Sequence, residues 1–206
     1  MELLLIRHAL PITRIDVDGP ADPVLSDLGI QQAHHLAIYL SSEKLQAVYS
    51  SPMKRALQTA EPVAAAQGLE VLIDDDVAEY DRDSTWYIPV EELKAANDPR
   101  WQQVLAGTLG GDDFDPLAFR QQVVGAIERF IDAHPAQRIA VVCHGGVINA
   151  YLSYILRYDE PQSFFYPNYT SIHRVAAARS GERSILTMNE TAHLRGTGLP
   201  VGLFDG

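Results

Sequence analysis

Short apolar runs alternate with longer segments of helical pattern along this chain, and that alternation narrows the available folds more than any other feature. Residues 3–6 and 138–143 are the clearest apolar runs, and both have the length of a buried strand. Ser51 before Pro52 predicts the start of one helix, with the serine as N-cap, and Asp115 predicts the start of another. Strands that alternate with helices form a mostly parallel sheet covered on both faces. The sequence therefore predicts an α/β fold, a three-layer α/β/α sandwich with a mostly parallel central sheet.

The domain organisation follows from the length and from one break in the pattern. The 206 residues contain no repeat, low-complexity stretch or long linker, so we expect a single domain over residues 1–206. Residues 80–116 break the alternation of strands and helices and include several aromatic side chains. Insertions at strand ends often set specificity, so one interpretation of this stretch is a small cap insertion over a binding site. The other is an extra helical layer whose aromatic residues belong to an ordinary core.

The charge and composition of the chain argue against several classes of partner. A net charge of −11 does not suit a nucleic-acid surface, which needs clustered lysine and arginine. No segment approaches the ~20 apolar residues of a membrane span, and the apolar start ends at Arg7, too soon for a signal peptide. Cys143 is the single cysteine and cannot form an internal disulfide, so we expect a cytoplasmic protein. We expect no nucleic-acid and no membrane partner, and a homodimer is left open.

Three clusters of polar residues stand where the strands and helices meet. Arg7 and His8 follow the first apolar run, and His144 follows the run at 138–143. Arg55 lies in the first turn of a predicted helix, whose positive end attracts anions. Taken singly, each histidine could be an ordinary helix cap or surface residue. Because ligands of parallel sheets bind outside the carboxyl ends of the strands, the clusters together predict one anion-binding site.

The order and spacing of these clusters resemble the histidine phosphatase superfamily, also called the phosphoglycerate mutase-like family, in its phosphatase branch. The matching segments are Arg7-His8-Ala9, residues 50–60, Glu79 and His144-Gly145-Gly146. The likeness extends from residue 3 to residue 194. Ala9 stands where the family usually has glycine.

This resemblance assigns a role to each residue of the predicted site. His8 resembles the nucleophile, which forms a covalent phosphohistidine and divides the reaction into two steps. Three cationic side chains would bind the phosphate oxygens, namely Arg7, Arg55 and His144. Glu79 would protonate the leaving alkoxide and then take a proton from water. No metal ion and no other cofactor is implied.

The residues that contact the remainder of the substrate are less closely defined. Gly145 can bring its backbone near a ligand because it has no side chain. Arg14, Arg82 and Tyr87 are the other candidates for substrate binding. In the family, polar substrate contacts often occur where this chain has Pro11 and Arg14. The expected substrate is a small phosphorylated molecule of unspecified identity.

The sequence thus predicts a metal-independent phosphomonoester hydrolase. One alternative is a phosphoglycerate-type mutase, in which the phosphohistidine returns its phosphate to a rearranged substrate instead of to water. Another, of a different class, is a non-catalytic module on the same fold that binds phosphate or protein.

Overall fold

The computed structural model describes residues 1–15, 17–106, 114–158 and 163–203, which form a six-stranded sheet with helices on both faces. The strands are β1 (Glu2–Arg7), β2 (Ala47–Ser50), β3 (Val71–Ile73), β4 (Arg138–Cys143), β5 (Ile172–Ala177) and β6 (Arg183–Glu190). The helices are α1 (Asp27–Leu40), α2 (Lys54–Gln67), α3 (Val90–Ala95), α4 (Pro99–Ala106), α5 (Pro116–Ala133) and α6 (Gly145–Leu156). Short 3₁₀ turns cover Asp75–Val77 and Ala192–Leu194. None of the helices in these ranges is both long and apolar enough to cross a membrane.

The order of the strands across the sheet is β3-β2-β4-β1-β5-β6. The first four run parallel to one another. At one side, β5 pairs antiparallel with β1, and β6 pairs antiparallel with β5. Successive residues of β1 face opposite layers, as in any strand. Leu3 and Leu5 belong to the apolar core that includes Ile127 of α5, whereas Leu4 belongs to the core that includes Leu36 of α1. The predicted α/β sandwich with a mostly parallel sheet is confirmed.

The helix starts agree with the sequence in one case and differ in another. Asp115 caps α5, where its side chain accepts two backbone N–H groups. Ser51 does not cap α2, because that helix begins at Lys54 with Met53 at the N-cap position. The Ser51 hydroxyl instead lies 2.7 Å from Nε2 of His144. The predicted N-cap is therefore wrong, and the serine contacts a residue of the predicted site.

The parallel register brings three strand ends to one edge of the sheet. Arg7 at the end of β1 pairs with Cys143 of β4, and Ser50 of β2 pairs with Val142 of β4. The residues that follow these strands therefore share that edge. The described part of the predicted cap, residues 80–106 and 114–116, contains α3 and α4 and contributes to the cavity at this edge. Residues 107–113 of the predicted cap lie outside the described residues.

Candidate active site

His8 is fixed at the end of β1 by hydrogen bonds on both sides. Its backbone N–H donates to the carbonyl of Cys143 (2.9 Å), and the next N–H, of Ala9, donates to Oγ1 of Thr59 (3.0 Å). In the ring, Nδ1 lies 2.8 Å from the carbonyl oxygen of Ala9. Because a carbonyl can only accept, Nδ1 carries the proton and Nε2 holds a lone pair. The arrangement leaves Nε2 as the nitrogen available for nucleophilic attack.

The surroundings of His8 keep its ring neutral. Burial lowers the pKa of His8 well below its ordinary value, and the nearby positive charges of Arg55 and Arg7 lower it further. The side chain is 2% exposed. A neutral imidazole near pH 7 has the lone pair that attack on phosphorus requires.

Arg7 is buried beside two tyrosine rings. Its guanidinium carbon lies 4.8 Å from the ring centroid of Tyr166 and 4.3 Å from that of Tyr169. Nη1 donates to the carbonyl of Pro167 (2.7 Å), while Nε has no hydrogen-bond partner among the described residues. A buried donor without a partner costs roughly 1–3 kcal/mol. An anion bound in this position would satisfy that donor.

Arg55 is held in the first turn of α2 and is 1% exposed. Nη2 donates to Oδ1 of Asp81 (3.0 Å), and the ring of Tyr87 lies 4.6 Å from the guanidinium carbon. Nε and Nη1 have no hydrogen-bond partner within the part of the chain that the structure describes. Two free N–H groups on one planar guanidinium match the geometry of phosphate oxygens.

His144 precedes α6 and is fully buried, with its ring centroid 5.2 Å from that of His8. Its Nε2 contacts the Ser51 hydroxyl, and its Nδ1 has no partner among the described residues. Burial lowers the pKa of His144 well below its ordinary value, and Arg55 and His8 lower it further. The sequence predicted a third cation at this position. Burial favours the neutral form of this ring, which has an N–H group to donate.

Glu79 is positioned by two backbone amides. Oε2 accepts the N–H of Gly146 (2.8 Å), and Oε1 accepts the N–H of Tyr80 (3.2 Å). Burial, followed by the negative charge of Asp81, raises the pKa of Glu79 to about 7. A carboxyl with this pKa is present in both protonation states near neutral pH. Such a group can donate a proton in one step and accept one in the next.

A cavity of about 710 Å³ opens at this edge of the sheet. Six of the residues predicted from the sequence line it, namely Arg7, His8, Arg55, Glu79, Tyr87 and Gly145. His144 is not among the lining residues, although its ring lies beside that of His8. No group of three His, Cys, Asp or Glu side chains within the described ranges is arranged to hold a metal ion.

Two of the predicted substrate contacts lie elsewhere. Arg14 is exposed and does not line the cavity; its backbone pairs with that of Tyr87 through hydrogen bonds of 2.8 and 2.6 Å. Arg82 is also exposed, and its Nη2 lies 3.5 Å from Oδ1 of Asp75 at the surface. The structure therefore does not bring these two arginines to the cavity.

Other residues of the site were missed from the sequence. Asp81 was not singled out, although it follows Glu79 by two residues and carries a charge. Ser51 was predicted to cap a helix and belongs to the matching segment 50–60, but it was not assigned a role in the site. Tyr166 and Tyr169 come from a loop more than 150 residues after Arg7, and no motif marked them before the fold was known.

The model of the histidine phosphatase superfamily (branch 1) matches residues 3–191 of the chain. The chain belongs to this superfamily. Phosphoglycerate mutase-like protein 4 of Arabidopsis thaliana is 38% identical over 161 residues, which cover 72% of this chain and 68% of the relative. Phosphoserine phosphatase 1 of Hydrogenobacter thermophilus is 32% identical over 203 residues, which cover 94% of each protein.

The solved structures include a protein with a similar fold. A histidine-to-alanine variant of phosphoserine phosphatase from Entamoeba histolytica, in complex with phosphoserine, has a TM-score of 0.73 and 24% identity. The alignment covers 94% of this chain and 98% of that one. The family and the enzyme class predicted from the sequence, a histidine phosphatase, are confirmed, and the mutase alternative is less favoured.

Proposed function

We propose that this protein hydrolyses small phosphomonoesters through a covalent phosphohistidine on His8, with water as the final phosphate acceptor. The observation that carries the proposal is the position of His8 in a cavity lined by Arg7 and Arg55: among the described residues, His8 Nε2 and N–H groups of both arginines have no hydrogen-bond partner. Phosphoryl transfer needs an in-line nucleophile and positive charge around the phosphate oxygens, and these three side chains supply both.

In the first step, Nε2 of His8 attacks phosphorus while the ester P–O bond breaks. The protonated carboxyl of Glu79 gives its proton to the leaving oxygen, so the product alcohol departs uncharged. In the second step, water attacks phosphorus, the N–P bond breaks, and the Glu79 carboxylate takes a proton from the water. Inorganic phosphate leaves, and both residues return to their starting state. A positioned acid–base group of this kind contributes roughly 10²–10⁴-fold.

The charge that develops on the phosphate oxygens is stabilised by fixed donors. Arg7 and Arg55 contribute positive charge in a buried site, where electrostatic interactions are stronger than in water. In this proposal the Ser51 hydroxyl donates to Nε2 of His144, and the N–H at Nδ1 of that ring donates a hydrogen bond to the phosphate. The proposed chemistry needs no metal ion, because these side chains provide the charge stabilisation.

The relatives support hydrolysis of a small phosphorylated substrate. Two of the similar proteins are called phosphoserine phosphatases, and one of them was solved with phosphoserine. We also propose a cytoplasmic location, supported by the single, buried Cys143, and no nucleic-acid partner, supported by the net charge of −11. Sedimentation of the purified protein would decide whether it forms the homodimer left open by the sequence.

The experiment that tests the function follows the fate of the phosphate. The protein is mixed with p-nitrophenyl phosphate, and separately with 3-phosphoglycerate in the presence and absence of 2,3-bisphosphoglycerate. We expect the wild-type protein to release free phosphate and the His8→Ala variant to release none. Isomerisation of 3-phosphoglycerate should not be faster than phosphate release. Isomerisation that clearly exceeds phosphate release would indicate a mutase. Phosphate binding with no turnover of any ester would indicate a binding module.

A further inference from the structure

The outer wall of the cavity differs in character from its phosphate-binding end. Beyond the proposed catalytic residues, the described lining side chains are mostly apolar and come from the predicted cap, α5 and the loop before β5. They include Trp86, Ile88, Val104, Phe114, Phe119 and Phe165. The wall therefore offers apolar contact to the part of a substrate that lies beyond its phosphate.

The cavity is large compared with a phosphate group. Its volume of about 710 Å³ lies within the range of roughly 300–1,000 Å³ that pockets for drug-sized ligands occupy. The phosphate would lie against His8 and the two arginines at one end. The remaining space can hold a group much larger than a short alkyl chain.

The charges of the outer wall give no net attraction to an anionic substituent. Among the described lining residues outside the proposed catalytic set, Asp81 and Asp83 are acidic and Arg120 is basic. Nη1 of Arg120 already donates to the carbonyl of Tyr158 (2.8 Å). Asp81 already accepts a hydrogen bond from Arg55 at the phosphate-binding end, so Asp83 and Arg120 are the remaining charges on the described wall. This part of the wall therefore offers a substrate carboxylate no net positive charge to offset the loss of its hydration.

We infer that the preferred substrates carry an uncharged apolar group, about the size of a phenyl ring, on the alcohol side of the ester. This inference rests on the proposed function and narrows its substrate class. Burial of a phenyl group contributes about as much as burial of a Phe side chain, which corresponds to roughly 10- to 100-fold in binding or kcat/KM. The preference would separate this chain from relatives whose names refer to phosphoserine, a charged amino-acid ester.

The test compares 2-phenylethyl phosphate with ethyl phosphate. Both release a primary alcohol, so the difference between them reports mainly the contact of the phenyl ring. We expect kcat/KM for 2-phenylethyl phosphate to be at least tenfold higher, and higher also than for phosphoserine and phosphocholine. Equal values for the two neutral esters, or a preference for phosphoserine or phosphocholine, would overturn the inference.

A matched pair of variants on α4 locates the contact. Val104 is half-buried and lines the cavity, whereas Leu105, the next residue, is 63% exposed and does not. Val104→Ser should lower the ratio of kcat/KM for the phenylethyl and ethyl esters about threefold, because an apolar contact is lost. Leu105→Ser should keep the wild-type ratio. Equal ratios in both variants and the wild type would show that this wall does not contact the substrate.

Binding to the His8→Ala variant separates the two proposals. Calorimetry with this variant measures the affinity for each ester without turnover. If wild-type protein hydrolyses no ester while the variant still binds 2-phenylethyl phosphate at least tenfold more tightly than ethyl phosphate, the proposed function fails and the apolar specificity stands. If the wild type hydrolyses both esters equally well and the variant binds them equally, the inference fails and the proposed function stands.

Discussion

The backbone N–H of Gly146 donates a hydrogen bond of 2.8 Å to Oε2 of Glu79. The approach is so close that a Cβ atom on Gly146 would lie 2.3 Å from the other carboxyl oxygen. Any side chain at this position must therefore displace the carboxyl. The second glycine after His144 thus allows the start of α6 to hold Glu79 at the edge of the cavity.

Gly146→Ala should impair catalysis by moving the proposed acid–base group. We expect kcat/KM for an alkyl phosphate to fall roughly 10- to 100-fold, part of the contribution of a general acid. The loss with p-nitrophenyl phosphate should be smaller. Gly125→Ala, in α5, is the matched control, because its Cβ would meet no atom within 4 Å. Equal activity of the two variants on the alkyl ester would contradict the positioning role.

Glu79→Gln should cause a defect that depends on the leaving group. An alkoxide needs a proton as it departs, whereas p-nitrophenolate is stable without one. We expect roughly 10²-fold or greater loss of kcat/KM for ethyl phosphate and a much smaller loss for p-nitrophenyl phosphate. The same loss on both esters, measured in the phosphoryl-transfer step, would count against the acid role.

The pH dependence should follow the protonation of Glu79. Its acid form is required in the first step, and its pKa is raised to about 7, so kcat/KM for ethyl phosphate should fall as pH rises above about 7. The lowered pKa of His8 keeps that ring neutral well below pH 6.5. A matched profile with p-nitrophenyl phosphate controls for ionisation of the phosphate itself. A flat profile for ethyl phosphate between pH 6 and 9 would contradict the assignment.

Asp81→Asn should change the pH at which kcat/KM for ethyl phosphate falls, here called the falling limb of the profile. The negative charge of Asp81 contributes to the raised pKa of Glu79, so its removal should shift the limb to lower pH. Asp75→Asn changes an aspartate that is paired at the surface with Arg82 and should leave the limb in place. A limb that does not move in Asp81→Asn would show that this carboxylate does not act on Glu79.

Activity should survive exhaustive chelation of metal ions. Arg7 and Arg55 supply the positive charge in the proposed scheme, so dialysis against a chelator should leave the rate of phosphate release unchanged. The measurement is kcat/KM before and after dialysis, with added Mg²⁺, Mn²⁺ or Zn²⁺ as controls. A complete loss that one of these ions restores would mean that the histidines had been wrongly assigned to phosphate chemistry.

The sequence predicted the strands that carry the site better than it predicted the contacts between the side chains of the site. The strand at 138–143 could be recognised because it is a continuous apolar run, and the observed β4 has the same bounds. The parallel register then places the ends of β1, β2 and β4 at one edge, which is why His8 and His144 meet. These relationships depend on hydrophobic pattern and topology, which a sequence carries directly.

The contacts that tune the site depend on distances that no sequence pattern encodes. Ser51 could be read as a helix cap until its hydroxyl was found beside Nε2 of His144. The lowered pKa of His144 follows from complete burial next to Arg55, which only the folded chain reveals. Arg14 was a candidate substrate contact because of its place in the family pattern, yet it does not line the cavity.

The most direct test of the central claim is to trap the phosphate on His8. Wild-type protein and His8→Ala are each incubated briefly with a ³²P-labelled phosphomonoester and quenched in denaturant, and the labelled site is mapped by mass spectrometry. The account predicts an acid-labile, alkali-stable label on His8 of the wild type, with no label and no turnover in the variant. Equal labelling of the variant, or turnover that persists without His8, would contradict a covalent phosphohistidine at this residue.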